Sequence, residues 1–147
     1  MSAAFDVVPH PDWASTTIVA IPSDAPDDPA AWAREIFDAR SVPAWAKALF
    51  GVRMVAAKLL RLPPGNPSML AVDHVVADEA VIDTDDVHLH FGAGVRADPA
   101  AGLLYVTTAV ALKGWRGRVY FAPVRFLHDP ITRSMIHSAI KRVQAAA

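Results

Sequence analysis

The sequence predicts an α+β fold, an antiparallel sheet closed by a C-terminal helix, and two observations lead there. From Met69 onward apolar residues recur with a period of two, in runs at about 69–76, 79–83, 86–96, 103–113 and 117–124 separated by Asp, Gly and Pro. Short alternating runs between turn-forming residues read as successive antiparallel strands. After them, Asp129-Pro130 sets a capping carboxylate before a proline at a first helical position, and Ile131, Met135, Ile136, Ala139, Ile140 and Val143 form an apolar stripe. Lys141 and Arg142 fall in the last turn, where cations offset the helix dipole. A helix this amphipathic must bury its stripe, and one face of the sheet is the large apolar partner available.

The N-terminal half supplies the remaining elements. Thr16 to Ile21 is β-branched and apolar up to Pro22, a first strand. Asp27-Asp28-Pro29 then starts a short helix with Trp32, Ala33, Ile36 and Phe37 on one stripe. Ser41 and Pro43 open a second, on which Trp45, Leu49, Val52, Ala56, Leu59 and Leu60 recur down to the break at Pro63-Pro64-Gly65, with Gly51 inside. Trp32 and Trp45, both on helical stripes, are expected in the core.

The whole chain, 1–147, is expected to form one domain, able to bury about 70% of the surface its unfolded chain exposes. Hydrophobic residues make up 53% and charged residues 20%, a composition that folds rather than stays disordered. Without cysteine there is no disulfide, thiolate nucleophile or cysteine zinc site. That absence fits the cytoplasm. Met1 to Val8 lacks a basic segment followed by an apolar run, and no stretch reaches the roughly 18 apolar residues of a membrane span, so neither export nor a membrane span is expected. A formal net charge of −1 gives no footprint for phosphate backbones, and nucleic acid is not expected as a partner.

Several groups of residues could carry chemistry. In an extended strand Asp86, His88 and His90 share one face and Val87, Leu89 and Phe91 the other. Same-face neighbours are roughly 7 Å apart, too far to share a metal without ligands from elsewhere, and a half-buried strand face or a ligand-facing histidine accounts for them better. No metal is assigned. Asp83, Asp85 and Asp86 sit between two strands, where Asp bonds to nearby backbone. Gly92-Ala93-Gly94 matches only the opening of a dinucleotide fingerprint, and there is no nucleophile elbow or Walker loop, so no cofactor is assigned. Arg116, Arg118 and Tyr120 would share a face if 117–124 is a strand, either as a solvated edge or as an anion clamp. His128 precedes the predicted helix cap, at the junction where a pocket mouth would open.

Three stretches resemble a bacterial family of domains of unknown function: AWAREIF with PAWAKALFGVR (31–53), DDVHLHF (85–91) and WRGRVYFAPVRFLH (115–128). The matching positions are His88, Leu89, Phe91, Gly117, Arg118, Tyr120 and His128, while Met54 stands where an acidic residue is expected. The order of elements is also similar to the helix-grip fold of the SRPBCC superfamily, with START lipid-transfer domains, polyketide cyclases and the birch-pollen allergen. That resemblance implies a curved antiparallel sheet wrapped around a long C-terminal helix, with two short helices after the first strand. It further implies a link to small-molecule metabolism, since family members occur attached to short-chain dehydrogenase-like domains.

The first functional expectation is a small hydrophobic or amphipathic ligand in a cavity between sheet and C-terminal helix. His88, Leu89, Phe91, Arg118, Tyr120, Phe121, His128 and Met135 are its expected binding residues, with Val106, Thr108, Val110, Val119 and Ile131 as further walls. The inward register of strand 103–112, apolar on both faces, is open. The second expectation is a cyclase- or isomerase-like enzyme in which His88 or His128 acts as base and Arg118 or Tyr120 steadies an enolate. The third is an interaction module for an oxidoreductase or for self-association as a homodimer.

Overall fold

Alternation of apolar and polar side chains sets the sheet, and its register decides what each face meets. The computed structural model describes residues 1–61 and 70–147, the side chains of Phe50 and Arg53 apart. Its five strands are β1 (Trp13–Ala20), β2 (His74–Val76), β3 (Glu79–Asp85), β4 (Leu89–Asp98) and β5 (Leu103–Leu112). They form one antiparallel sheet in the order β1-β5-β4-β3-β2. The expected Pro63-Pro64-Gly65 break and the start of a strand at Met69 lie outside the described residues.

Among the described residues there are four α-helices, α1 (Ala4–Val7), α2 (Pro29–Ile36), α3 (Ala44–Leu59) and α4 (Gly114–Ala146), and a short 3-10 helix at Ala39–Ser41. The Asp28 carboxylate accepts the N–H of Ala30 at 2.9 Å and Pro29 occupies the first position of α2, as the sequence predicts. Trp32, Ala33 and Ile36 are buried on one stripe. This is an α+β protein with an antiparallel sheet and a long C-terminal helix, a layout consistent with the helix grip.

The register of β5 is now fixed. Leu104 and Val106 pack with Val19, Val95, Met135, Ile136, Ala139 and Ile140 in the main core, so the even-numbered residues of β5 face α4. Ala109 and Ala111 pack instead under α1 with Ala4, Phe5, Val7 and Val8. Because side chains alternate, Leu89 and Phe91, paired with Leu112 and Val110, lie on the α4 face, whereas His90, paired with Ala111, lies on the α1 face.

Two expectations are corrected by α4. Residues 117–124 are not a strand but the beginning of this 33-residue helix, and Asp129 does not cap a helix start. Gly117, Phe121, Thr132, Met135, Ile136, Ala139 and Ile140 are its buried residues, so the helical stripe already runs through the segment that reads as alternating. Pro123 and Pro130 lie inside the helix, where each lacks the N–H that the carbonyl four residues earlier would accept. The Asp129 carboxylate accepts the Ser15 hydroxyl at 2.6 Å instead, tying mid-helix to β1.

The stripe of α3 is corrected as well. Trp45, expected in the core, is 45% exposed, and Val52 and Leu59 are exposed too, while Ala46 alone on this helix is buried among the described side chains. The sheet is already covered by α2 and α4 on one face, so α3 packs beside α4 rather than on the sheet.

Candidate functional site: an apolar groove between two helices

The second half of α4 leaves no room beneath it, because Met135, Ile136, Ala139 and Ile140 meet the sheet side chains directly in the main core. The expected cavity between sheet and helix is therefore filled there, and Met135 is a core residue, 8% exposed. Space opens instead on the flank of the first half of α4. Ala46, Leu49, Val52, Ala56 and Leu60 on one side, with Val119, Tyr120, Pro123, Val124, Leu127 and Ile131 on the other, line a groove of about 330 Å³. Among the described lining residues, Tyr120 alone carries a polar side chain.

The expected binding residues do not gather in one place. Tyr120 lines this groove, as do the expected walls Val119 and Ile131. Phe121 and His128 turn toward the sheet and pack edge-on against Trp13, with ring centroids 5.4 Å and 4.8 Å away. Leu89 and Phe91 are half-buried on the same sheet face. Arg118 points elsewhere, to an ion pair with Asp12 at 3.7 Å, and the Asp12 carboxylate also accepts the N–H of Leu112.

His128 Nδ1 lies 3.4 Å from Asp129 Oδ1 and 3.4 Å from the Thr132 hydroxyl. Burial against Trp13 holds its pKa below the ordinary value, and the hydrogen bond and charge of Asp129 offset this only in part. The ring is thus biased toward its neutral form.

The expected Asp86-His88-His90 strand face does not form, because Asp86 to His88 make the turn between β3 and β4. The carbonyl of His88 accepts the N–H of Lys113 at 2.7 Å, and its Nε2 is buried with no hydrogen-bond partner among the described residues. His90 Nε2 pairs with Asp83 Oδ1 at 2.7 Å on the opposite sheet face. Nearby, Lys113 pairs with Asp85, and that hydrogen bond holds the Asp85 carboxyl below its ordinary range. Among the described residues no three His, Asp or Glu side chains are placed to share a metal ion, and no helix is long and apolar enough to cross a membrane.

Sequence reasoning missed the α3 half of the groove. The signal was present as two apolar helical stripes, one on α3 and one at 119–131, with a single sheet face to cover them. It also missed the link from Arg142, whose Nε donates to Glu35 Oε2 at 2.8 Å and whose Nη2 donates to the Glu35 carbonyl and the Ser41 hydroxyl.

The fold and this groove define a small α+β protein with an apolar, helix-walled recess. The chain belongs to the family described as Protein of unknown function (DUF2867), whose model matches residues 7–135. No curated protein and no solved structure matches the chain.

Proposed function

We propose that this protein binds a small hydrophobic or amphipathic molecule in the groove between α3 and the first half of α4. One observation carries the proposal: a recess of about 330 Å³ walled, among the described residues, by aliphatic side chains and the ring of Tyr120. Ligand sites run from about 300 to 1,000 Å³ and are mostly apolar with a few placed polar groups, so the groove suits a compact ligand. Leu49 and Leu127 at its rim are part-exposed, and a ligand would cover them from water.

The antiparallel sheet with its long terminal helix supports reading residues 1–147 as one SRPBCC-like domain. Its ligand would then lie beside the helix rather than beneath it. A cytoplasmic location accords with the absence of cysteine. Catalysis by the expected groups has less support, since His128 meets Trp13, Asp129 and Thr132 while Arg118 meets Asp12.

The second reading is self-association or a protein partner, favoured by Trp115 and Phe126, which are 64% and 70% exposed on α4. Light scattering separates the two: a stable homodimer that buries the groove favours this second reading. The primary test is native mass spectrometry of the protein as purified, followed by a thermal-shift screen of uncharged lipophiles. A retained mass or a saturable rise in melting temperature is expected, and a chain that carries nothing and is stabilised by none of them overturns the proposal.

A further inference from the structure

The first half of α4 turns Gly117 and Phe121 into the protein, and the opposite side of a surface helix is ordinarily polar. Here that side carries Trp115, Val119 and Phe126, all exposed and at helical spacing. Arg116 and Arg125 stack over the neighbouring rings of Trp115 and Phe126, 5.5 Å and 4.8 Å from the ring centroids. Val119 also lines the α3–α4 groove, and so does Val52, which is exposed as well and followed along α3 by exposed Val55 and Leu59. The apolar surface therefore continues from one helix to the other.

Charge is sorted onto the same elements. Residues 44–61 and 113–128, which hold α3 and the first half of α4, contain eight of the 14 Lys and Arg and none of the 15 Asp and Glu, in a chain whose net charge is −1. Lys113 and Arg118 are paired with Asp85 and Asp12, but Lys47, Lys58, Arg116 and Arg125 are exposed and form no ion pair with any described residue.

We propose that this face docks on the surface of an anionic lipid bilayer, with Trp115, Val119 and Phe126 entering the upper acyl region and Arg116 and Arg125 meeting the phosphates. Arginines beside outward aromatic rings suit that boundary, where an apolar layer lies directly beneath a charged one. A nucleic-acid backbone offers phosphates without the apolar layer. A second copy docked by the same face would bring these cations against like charge. The inference goes beyond the groove proposal and does not require the groove to be filled.

Trp115, Arg116, Arg125 and Phe126 do not line the groove, which keeps the two readings separable. The test is flotation of the whole protein with vesicles of equimolar phosphatidylglycerol and phosphatidylcholine and, in parallel, of phosphatidylcholine alone. Binding to the anionic vesicles is expected, weakening as salt rises, with little on the neutral ones. Arg116→Gln combined with Arg125→Gln is expected to weaken it about fivefold per charge removed, and Phe126→Ser about tenfold. All three side chains are exposed, so the variants should melt like the wild type. No binding to the anionic vesicles, equal binding to the neutral ones, an unchanged affinity in the arginine variant, or a stable dimer that Phe126→Ser splits would each overturn the inference. Saturable binding of a lipophile in the groove alongside any of these results would leave the groove proposal standing.

Discussion

Gly117, in the first turn of α4, lies so close to the carbonyl oxygen of His88 that a Cβ there would overlap it. The same carbonyl accepts the Lys113 N–H, so the turn between β3 and β4 and the start of α4 are held together at one atom. That contact fixes where α4 begins, and therefore where its flank meets α3. Gly117→Ala is expected to force the two apart and cost about 1–3 kcal/mol, as overpacking does in a tight site. Chemical denaturation gives the value, and a change within a few tenths of a kcal/mol would mean the contact is slack.

Buried His128 gives a pH dependence with a definite sign. Its pKa in the folded chain lies below the ordinary 6.5, so the unfolded chain binds the proton more readily. Its contribution to stability is complete above about pH 6.5 and is lost as pH falls from there to the folded pKa, at no more than about 1.4 kcal/mol per pH unit. Urea titrations between pH 5 and 8 of the wild type and of His128→Phe should diverge in that window. Parallel curves would remove His128 as the cause.

Glu79 anchors the N-terminal segment from across the sheet. Its buried carboxylate accepts the Ala3 N–H at 2.8 Å and the Ser2 hydroxyl, and a side chain at Gly94 would collide with it. Glu79→Ala should release α1 from Ala109 and Ala111, at a cost of about 1.5–3 kcal/mol for bonds to a charged group. Hydrogen exchange should accelerate over residues 3–8 and spare the main core. Uniform acceleration would show that α1 is no separate unit.

The antiparallel strands from Glu79 to Leu112 and helix α2 were legible because their signals are local: short apolar runs between turn-forming residues, and a carboxylate before Pro29. The extent of α4 was not. Asp129-Pro130 carries the local signature of a helix start, yet Asp129 bonds Ser15, 114 residues away, and the packing of Gly117 and Phe121 outweighs the break at each proline. A strand pattern over 117–124 arises because Val119 and Phe121 alternate with Arg118 and Tyr120, while the helical partner of Phe121 is Trp13, distant in sequence. For the site, sequence reading named Tyr120, Val119 and Ile131 but set them against the sheet. The burial of α3 depends on tertiary placement, which its stripe alone does not encode.

The central claim is that the α3–α4 groove receives a hydrophobic molecule, and a charge placed at its rim tests it most directly. Leu127, 36% exposed, and Val119, 53% exposed, tolerate polar substitution without loss of core packing. The measurement is a fluorescence titration of an apolar naphthalene dye into the wild type, Leu127→Glu and Val119→Glu, each first shown to melt like the wild type. Saturable one-to-one binding that weakens about tenfold or more in both variants is expected, since a carboxylate in an apolar recess must be desolvated. Equal affinity in all three proteins, or no saturable binding to the wild type, would contradict it.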